Sequence, residues 1–197
     1  MIFRKSYNKP ATRDVVIVTD EGEYPIWEKD FSRLFATLNP GDVIDNEDEL
    51  VNLAVMRGIK KSAVKKISAG NITRNALIRR IMRERMFGIY PSAEQVEFVI
   101  DKLDRAGFIN DTLYAKRYVE KTLEKQWGEY KIRASMRERG FKSEDIDKAL
   151  LEADPDWEEM ARAFIEANPD TEREAMFRKL QARGFSTSII TSVLNGD

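Results

Sequence analysis

Lys131-Ile-Arg-Ala-Ser-Met-Arg-Glu-Arg139-Gly140-Phe141 occurs, with variations, three times along this chain. The earlier copy is Leu77-Ile-Arg-Arg-Ile-Met-Arg-Glu-Arg85-Met86-Phe87 and the later one is Ala175-Met-Phe-Arg-Lys-Leu-Gln-Ala-Arg183-Gly184-Phe185. The first two share Met-Arg-Glu-Arg, and the third keeps the Arg-Gly-Phe ending. Each copy reads as a helix end. Arginine in the last turn favours the helix dipole, glycine permits a left-handed cap, and phenylalanine packs back over the terminus. Phe87, Phe141 and Phe185 are therefore expected in the core. Recurrence of this kind marks a repeat architecture, in which each supersecondary unit stacks on the next to bury its apolar face. Such proteins usually present an extended surface and do not enclose a catalytic pocket.

Outward from these copies the chain reads as helix almost to its end. Glu47 to about Ile67 forms one long segment that Gly58 can interrupt. Thr73 caps a helix carrying Leu77, Ile78, Ile81, Met82 and Met86. Ser92 with Gln95 makes a capping box ahead of Val96, Val99, Ile100 and Leu103, which run to Gly107. Asn110-Asp111 opens a helix through Leu113, Tyr118 and Val119 to Trp127-Gly128. A second helix, about Tyr130 to Arg139, stops at Gly140, and a third runs from Ser143 to Leu150. Asp154-Pro155 reads as a cap followed by a first-turn proline, leading Trp157 to Ile165. Thr171 with Glu174 reads as a further capping box, and Ser186 opens the last helix. The expected fold is mainly α. Tandem three-helix repeats over 47–109, 110–153 and 154–197 form an elongated curved array behind a small β-containing module over 1–46. In that module residues 1–13 read as a loose arm. Asp14-Val-Val-Ile-Val-Thr19 and Tyr24-Pro-Ile-Trp27 read as a hairpin around Asp20-Glu21-Gly22-Glu23, with Pro25 suited to an edge strand. Asp30 is expected to cap a helix to about Leu38, and Val43-Ile44 to form a third short strand.

Composition narrows the function. The 197 residues contain no cysteine and no histidine, which removes disulfides, thiolate metal sites, the commonest general base and the commonest metal ligand. No phosphate-cradling glycine loop is present. Carboxylates at Asp20-Glu21-Glu23 and Asp45-Glu47-Asp48-Glu49 read as acidic turns and helix starts, so no metal and no cofactor are expected, and no enzyme. No apolar run approaches the ~20 residues of a membrane span. The N-terminal residues lack a secretory pattern, so a cytoplasmic location is expected. The net charge is −1, but the charge comes in blocks. Acidic residues dominate 14–50 and 143–174, and basic ones dominate 60–88 and 113–142. Alternating blocks suit a polyelectrolyte partner or a charged protein groove. Clustered charges on solvated helix faces are the plainer alternative.

The stretch Leu103-Asp-Arg-Ala-Gly107-Phe108-Ile109-Asn110-Asp111-Thr-Leu-Tyr114-Ala115-Lys-Arg-Tyr118 resembles the signature of the RecX family. Trp127-Gly128-Glu129-Tyr130-Lys131-Ile132-Arg133 is similar to that family's Gly-Pro-x-x-Ile segment, with Glu129 where proline is common. Met136-Arg-Glu-Arg-Gly140-Phe141 is similar to its Leu-x-x-Lys/Arg-Gly-Ile/Phe. Ser68-Ala-Gly-Asn-Ile-Thr-Arg74-Asn replaces the family's Arg-x-Arg-Ser segment. The resemblance covers about Glu49 to the C-terminus.

It implies a regulator that binds the RecA filament on single-stranded DNA and restrains ATP hydrolysis, strand exchange and co-protease activity. Many members are strongly basic and this chain is near neutral, so by this departure its DNA binding alone is expected to be weak. Nothing in the sequence suggests a dimer seam, so a monomer is expected. Candidate contacts to RecA or DNA are the bases of the middle helices. They are Arg74, Arg79, Arg80, Arg83 and Arg85 in the first repeat, then Lys131, Arg133, Arg137 and Arg139 in the second. Arg178, Lys179 and Arg183 continue the row in the third. Two alternatives stay open. One is a direct DNA-binding module whose recognition helix would start at Thr73-Arg74-Asn75. The other is a protein-interaction scaffold unconnected with RecA.

Overall fold

Ten helices and three strands make up the described residues, 1–196, of the computed structural model of this chain. They fall into two compact units. Residues 1–70 group with 77–108, and residues 71–76 group with those from Ile109 onward. The third expected repeat ends one residue later, at Asp197, which lies outside the described residues.

The first unit begins with an antiparallel sheet in the order β1 (Phe3–Lys9), β2 (Asp14–Thr19), β3 (Glu23–Trp27). The β-branched run of β2 takes the middle position, and Val15, Val16 and Ile17 are buried there. The hairpin turns at Asp20–Gly22, and Pro25 lies on an edge strand where its missing N–H costs no ladder bond. Residues 3–9 are a strand, not a loose arm. Six of their seven side chains are exposed and only Phe3 is buried, so no alternation was visible, and the strand exists because β2 offers its open edge. Val43 makes only an isolated bridge with Ile2, in place of the expected third short strand. Helix α1 (Glu28–Leu34) starts before Asp30, which does not cap it. Asp30 is buried in the first turn and pairs with Arg33 at 3.3 Å.

Helix α2 (Glu47–Ser68) runs through Gly58 without a break. That glycine leaves room for Met86, whose Sδ would lie 3.0 Å from an added Cβ. The sheet and α2 share one core of Phe3, Ile17, Ile26, Phe35, Ile44, Leu50 and Leu53. Asp14 is buried and receives Arg57 of α2 through two bonds of 2.5 and 2.8 Å. Helix α3 (Arg74–Ile81) stops short of the expected end, so Met82 to Phe87 leave the helix. Helix α4 (Ala93–Arg105) carries the expected Ser92–Gln95 capping box and buries Val96, Val99, Ile100 and Leu103.

The second unit contains two three-helix sets. The first is α5 (Asp111–Leu123), α6 (Glu129–Glu138) and α7 (Ser143–Ala153). The second is α8 (Trp157–Glu166), α9 (Arg173–Arg183) and α10 (Thr187–Asn195). Within each set, as with α2 and α4 in the first unit, the first and third helices pack together. Ile132, Met136, Phe141 and Ile146 of one core are matched at constant spacing by Met176, Leu180, Phe185 and Ile190 of the other. Asn110 and Ser186 cap their helices as expected. Asp154 does not. It ends α7 in a left-handed conformation, and Asp156 caps α8 by accepting the Glu159 N–H at 2.9 Å. Thr171 does not cap α9 either, since its hydroxyl accepts from Lys179 at 2.9 Å.

Candidate nucleic-acid interface

The Arg-Gly-Phe ending is a docking point for backbone. After α6 the chain turns at Gly140 (φ +86), and Phe141, 5% exposed, folds back against Tyr114 and Tyr118 at centroid distances of 4.8 and 6.0 Å. The carbonyls left free at this helix end find donors on the segment that opens α3. The Thr73 hydroxyl donates to the Arg139 carbonyl at 2.7 Å, and the Asn75 amide donates to the Gly140 carbonyl at 3.0 Å. One repeat later the same places are filled by backbone. The Gly128 N–H donates to the Arg183 carbonyl at 2.8 Å, and the Tyr130 N–H to the Gly184 carbonyl at 3.0 Å. Helix ends leave carbonyls that must be paired when buried, and the start of one middle helix pairs those at the end of the next. Thr73-Arg74-Asn75, the expected start of a recognition helix, serves this structural task. Thr73 also caps α3 through the Ala76 N–H (3.1 Å), and the Arg74 N–H donates to the Asp111 carboxylate at 3.0 Å.

The first copy differs in register. Its buried residues are Leu77, Ile81 and Met86, which match Ile132, Met136 and Phe141, so Met86 and not Phe87 takes the core position. Phe87 is 41% exposed, at φ +52, and stacks on Tyr24 at 5.8 Å. The expectation that all three phenylalanines are core thus holds for Phe141 and Phe185 and fails for Phe87. The displacement by one residue is already present at Leu77 and Ile81, so the shared Met-Arg-Glu-Arg stretch takes a different register in the two copies, and beyond α3 the chain makes a bridge between Met86 and Ile89.

On the surface of the second unit, α5 and α6 frame a cleft of about 320 Å³. Tyr114, Arg117, Tyr118, Lys121 and Lys125 advance along α5 and its end at helical spacing, and Trp127, Ser135 and Arg139 close the other side. Every charged residue lining it is basic. The Arg139 guanidinium lies 4.8 Å from the Tyr118 ring centre, and the Tyr118 hydroxyl is 2.5 Å from that of Ser135. The neighbouring Tyr118 side chain raises the Arg139 pKa and favours its charged form. Lys131 and Lys125 hold their ammonium groups 4.7 and 5.6 Å from the Trp127 ring, and Arg183 donates to the Lys125 carbonyl at 2.8 Å. Aromatic faces among unopposed cations are what a single strand needs, with bases stacking on the rings and phosphates meeting the charges.

The other expected contacts lie elsewhere. Arg133 is tied to Asp147 at 2.5 Å and Glu129 at 2.6 Å, and those carboxylates, Asp147 foremost, raise its pKa. Arg137 is exposed, Arg178 faces Glu174 at 3.3 Å, and Lys179 holds Thr171. Arg79, Arg80 and Arg83 are exposed in the first unit, and Arg85 covers the Tyr90 ring at 5.0 Å. Of the twelve, Arg139 lines the cleft, and Lys131 and Arg183 border it. Arg117, Lys121 and Lys125 were missed, although their four-residue spacing on an expected helix was readable.

A family model described as "RecX, second three-helix domain" matches residues 110–150, which supply all of the cleft lining except Asn71. A regulatory protein RecX from Pseudomonas fluorescens (strain SBW25) is 28% identical over 153 residues, covering 74% of this chain and 96% of that protein. Another from Pseudomonas fluorescens (strain Pf-5) is 28% identical over 110 residues, covering 52% of this chain and 71% of its own. A crystal structure of a regulatory protein RecX superposes with a TM-score of 0.69 at 20% identity, over 98% of both chains, and shares the fold.

Proposed function

Because the chain belongs to the RecX family, we propose that it is a non-enzymatic regulator of RecA, acting in the cytoplasm on the filament that RecA forms on single-stranded DNA. The observation that carries this reading is the cleft of the second unit, where four bases and no acid surround Tyr114, Tyr118 and Trp127. It binds the strand within the filament, and Arg117, Lys121, Lys125 and Arg139 neutralise phosphates. The exposed bases Arg79, Arg80, Arg83 and Arg137 pair with acidic groups on RecA. Binding along the filament restrains ATP hydrolysis, strand exchange and co-protease activity. The chain acts as a monomer, and its DNA affinity alone is weak.

The test is DNA-dependent ATP hydrolysis by RecA from the same source, with the chain titrated in at far less than one copy per RecA. Suppression is expected, and the reversal Arg117→Glu/Lys121→Glu/Lys125→Glu abolishes it while the fold is kept. No change across the titration would leave the helical surface to a different partner.

A further inference from the structure

The first unit holds a larger and more apolar groove, of about 550 Å³, between β3, α1, α2 and α4. Trp27, Leu53, Met56, Val64, Phe98 and Phe108 form its apolar walls. Helix α4 already supplies Val96, Val99, Ile100 and Leu103 to the core, so Phe98 and the following Phe108 are not needed inside. They stand 48% and 57% exposed. Contiguous exposed aromatic surface marks a place where something docks. Met56 and Phe98 also border a neighbouring, more polar depression lined by Asn52, Tyr90, Ser92, Glu94 and Gln95.

The charges around the groove select the partner. Lys29, Arg33, Lys60 and Lys102 line it against Asp30 and Glu49. Asp30 is buried and engaged by Arg33, so three lysines face one remaining carboxylate. The Lys102 ammonium lies 3.9 Å from the Phe98 ring centre and that of Lys60 lies 6.0 Å from Trp27. The cations are thus held against the apolar wall, where a bound peptide would bring its polar edge. We infer that this groove docks an acidic amphipathic segment of a partner protein. Its apolar side chains lie against Trp27, Phe98 and Phe108, and its carboxylates meet Lys29, Lys60 and Lys102. The inference rests on the groove alone and is independent of the RecA reading.

The experiment uses the full chain and two fluorescein-labelled helical peptides with identical leucine stripes. One carries glutamate at every polar position, the other lysine, and anisotropy is read at low and moderate salt. The acidic peptide is expected to bind at least about tenfold more tightly than the basic one, with an affinity that falls as salt rises. Lys60→Glu/Lys102→Glu should weaken the acidic peptide by about tenfold or more, and Phe98→Ser by about fivefold or more. All three side chains are exposed, so thermal melting should not move. Equal binding of both peptides, or unchanged affinity in both variants, would overturn the inference. So would self-association in sedimentation that Phe98→Ser abolishes, since the groove would then belong to a second copy of the chain.

Discussion

At Gly184 the backbone sits at φ +89, and an added Cβ would run into the backbone and Cβ of Lys131. Gly184→Ala therefore combines a left-handed strain with overpacking, and should cost roughly 3 kcal/mol or more in chemical denaturation. Gly128 faces the same contact from the other side but at an ordinary φ (−78). Gly128→Ala should lose only the overpacking part, about 1–3 kcal/mol. The two phenylalanine copies make a second comparison. Phe141→Ala should cost about 3–5 kcal/mol, while Phe87→Ala, on the surface against Tyr24, should cost about 1 kcal/mol or less. Equal losses in the two melting curves would mean that the register of the first copy is not the one described. At this scale the sequence was legible where one residue type meets a local rule. Gly140, Gly184, Ser92, Asn110 and Ser186 all do what their types dictate. Asp154 and Thr171 fit equally good local rules and do otherwise, because Asp156 offered the better cap and Lys179 claimed the threonine.

Helix α5 carries the chemistry of the cleft, and its prediction is a salt slope. If Arg117, Lys121 and Lys125 each neutralise a phosphate, their reversal to glutamate should flatten the plot of log affinity for single-stranded DNA against log salt. The slope should fall by roughly 2, at about 0.7 per contact, and reversal of Arg133 should leave it unchanged. Between α2 and the turn after α3 lies a different ionic element, in which Lys66 donates to Glu84 and the Ser62 hydroxyl donates to the same carboxylate at 2.5 Å. Burial alone would push the Glu84 carboxyl up, but the ammonium and hydroxyl outweigh it and its pKa is lowered from 4.5. A lowered carboxyl stabilises the fold fully above its ordinary pKa, and that contribution is lost as pH falls through the lower folded value. Lys66→Met should therefore move the acid-unfolding midpoint, followed by circular dichroism, to higher pH. The basic row on α5 could be read from its spacing, but its value as a site could not. Whether a surface arginine is free or tied, as Arg133 is by Asp147, depends on a helix that the local sequence does not mention.

In the whole molecule, the sheet is not an appendage to the first unit. Phe3, Ile17 and Ile26 share one core with Leu50 and Leu53 of α2. A chain beginning at Glu47 should expose that face of α2 and lose protection against hydrogen exchange throughout α2 and α4, while α5–α10 keep theirs. Retained protection in α2 would show that the sheet contributes little to that core. The sequence by itself determined the mainly helical class, the repeat of Arg-Gly-Phe endings, the hairpin and most caps, since each rests on residues within a few positions of one another. The tertiary structure alone decided that Phe3–Lys9 is a strand, that Met86 replaces Phe87 in the core, and that Thr73 and Asn75 pair carbonyls of Arg139 and Gly140. It also decided which bases surround the cleft. Each of these depends on a partner far along the chain, and hydrogen bonding and burial are satisfied only when that partner arrives.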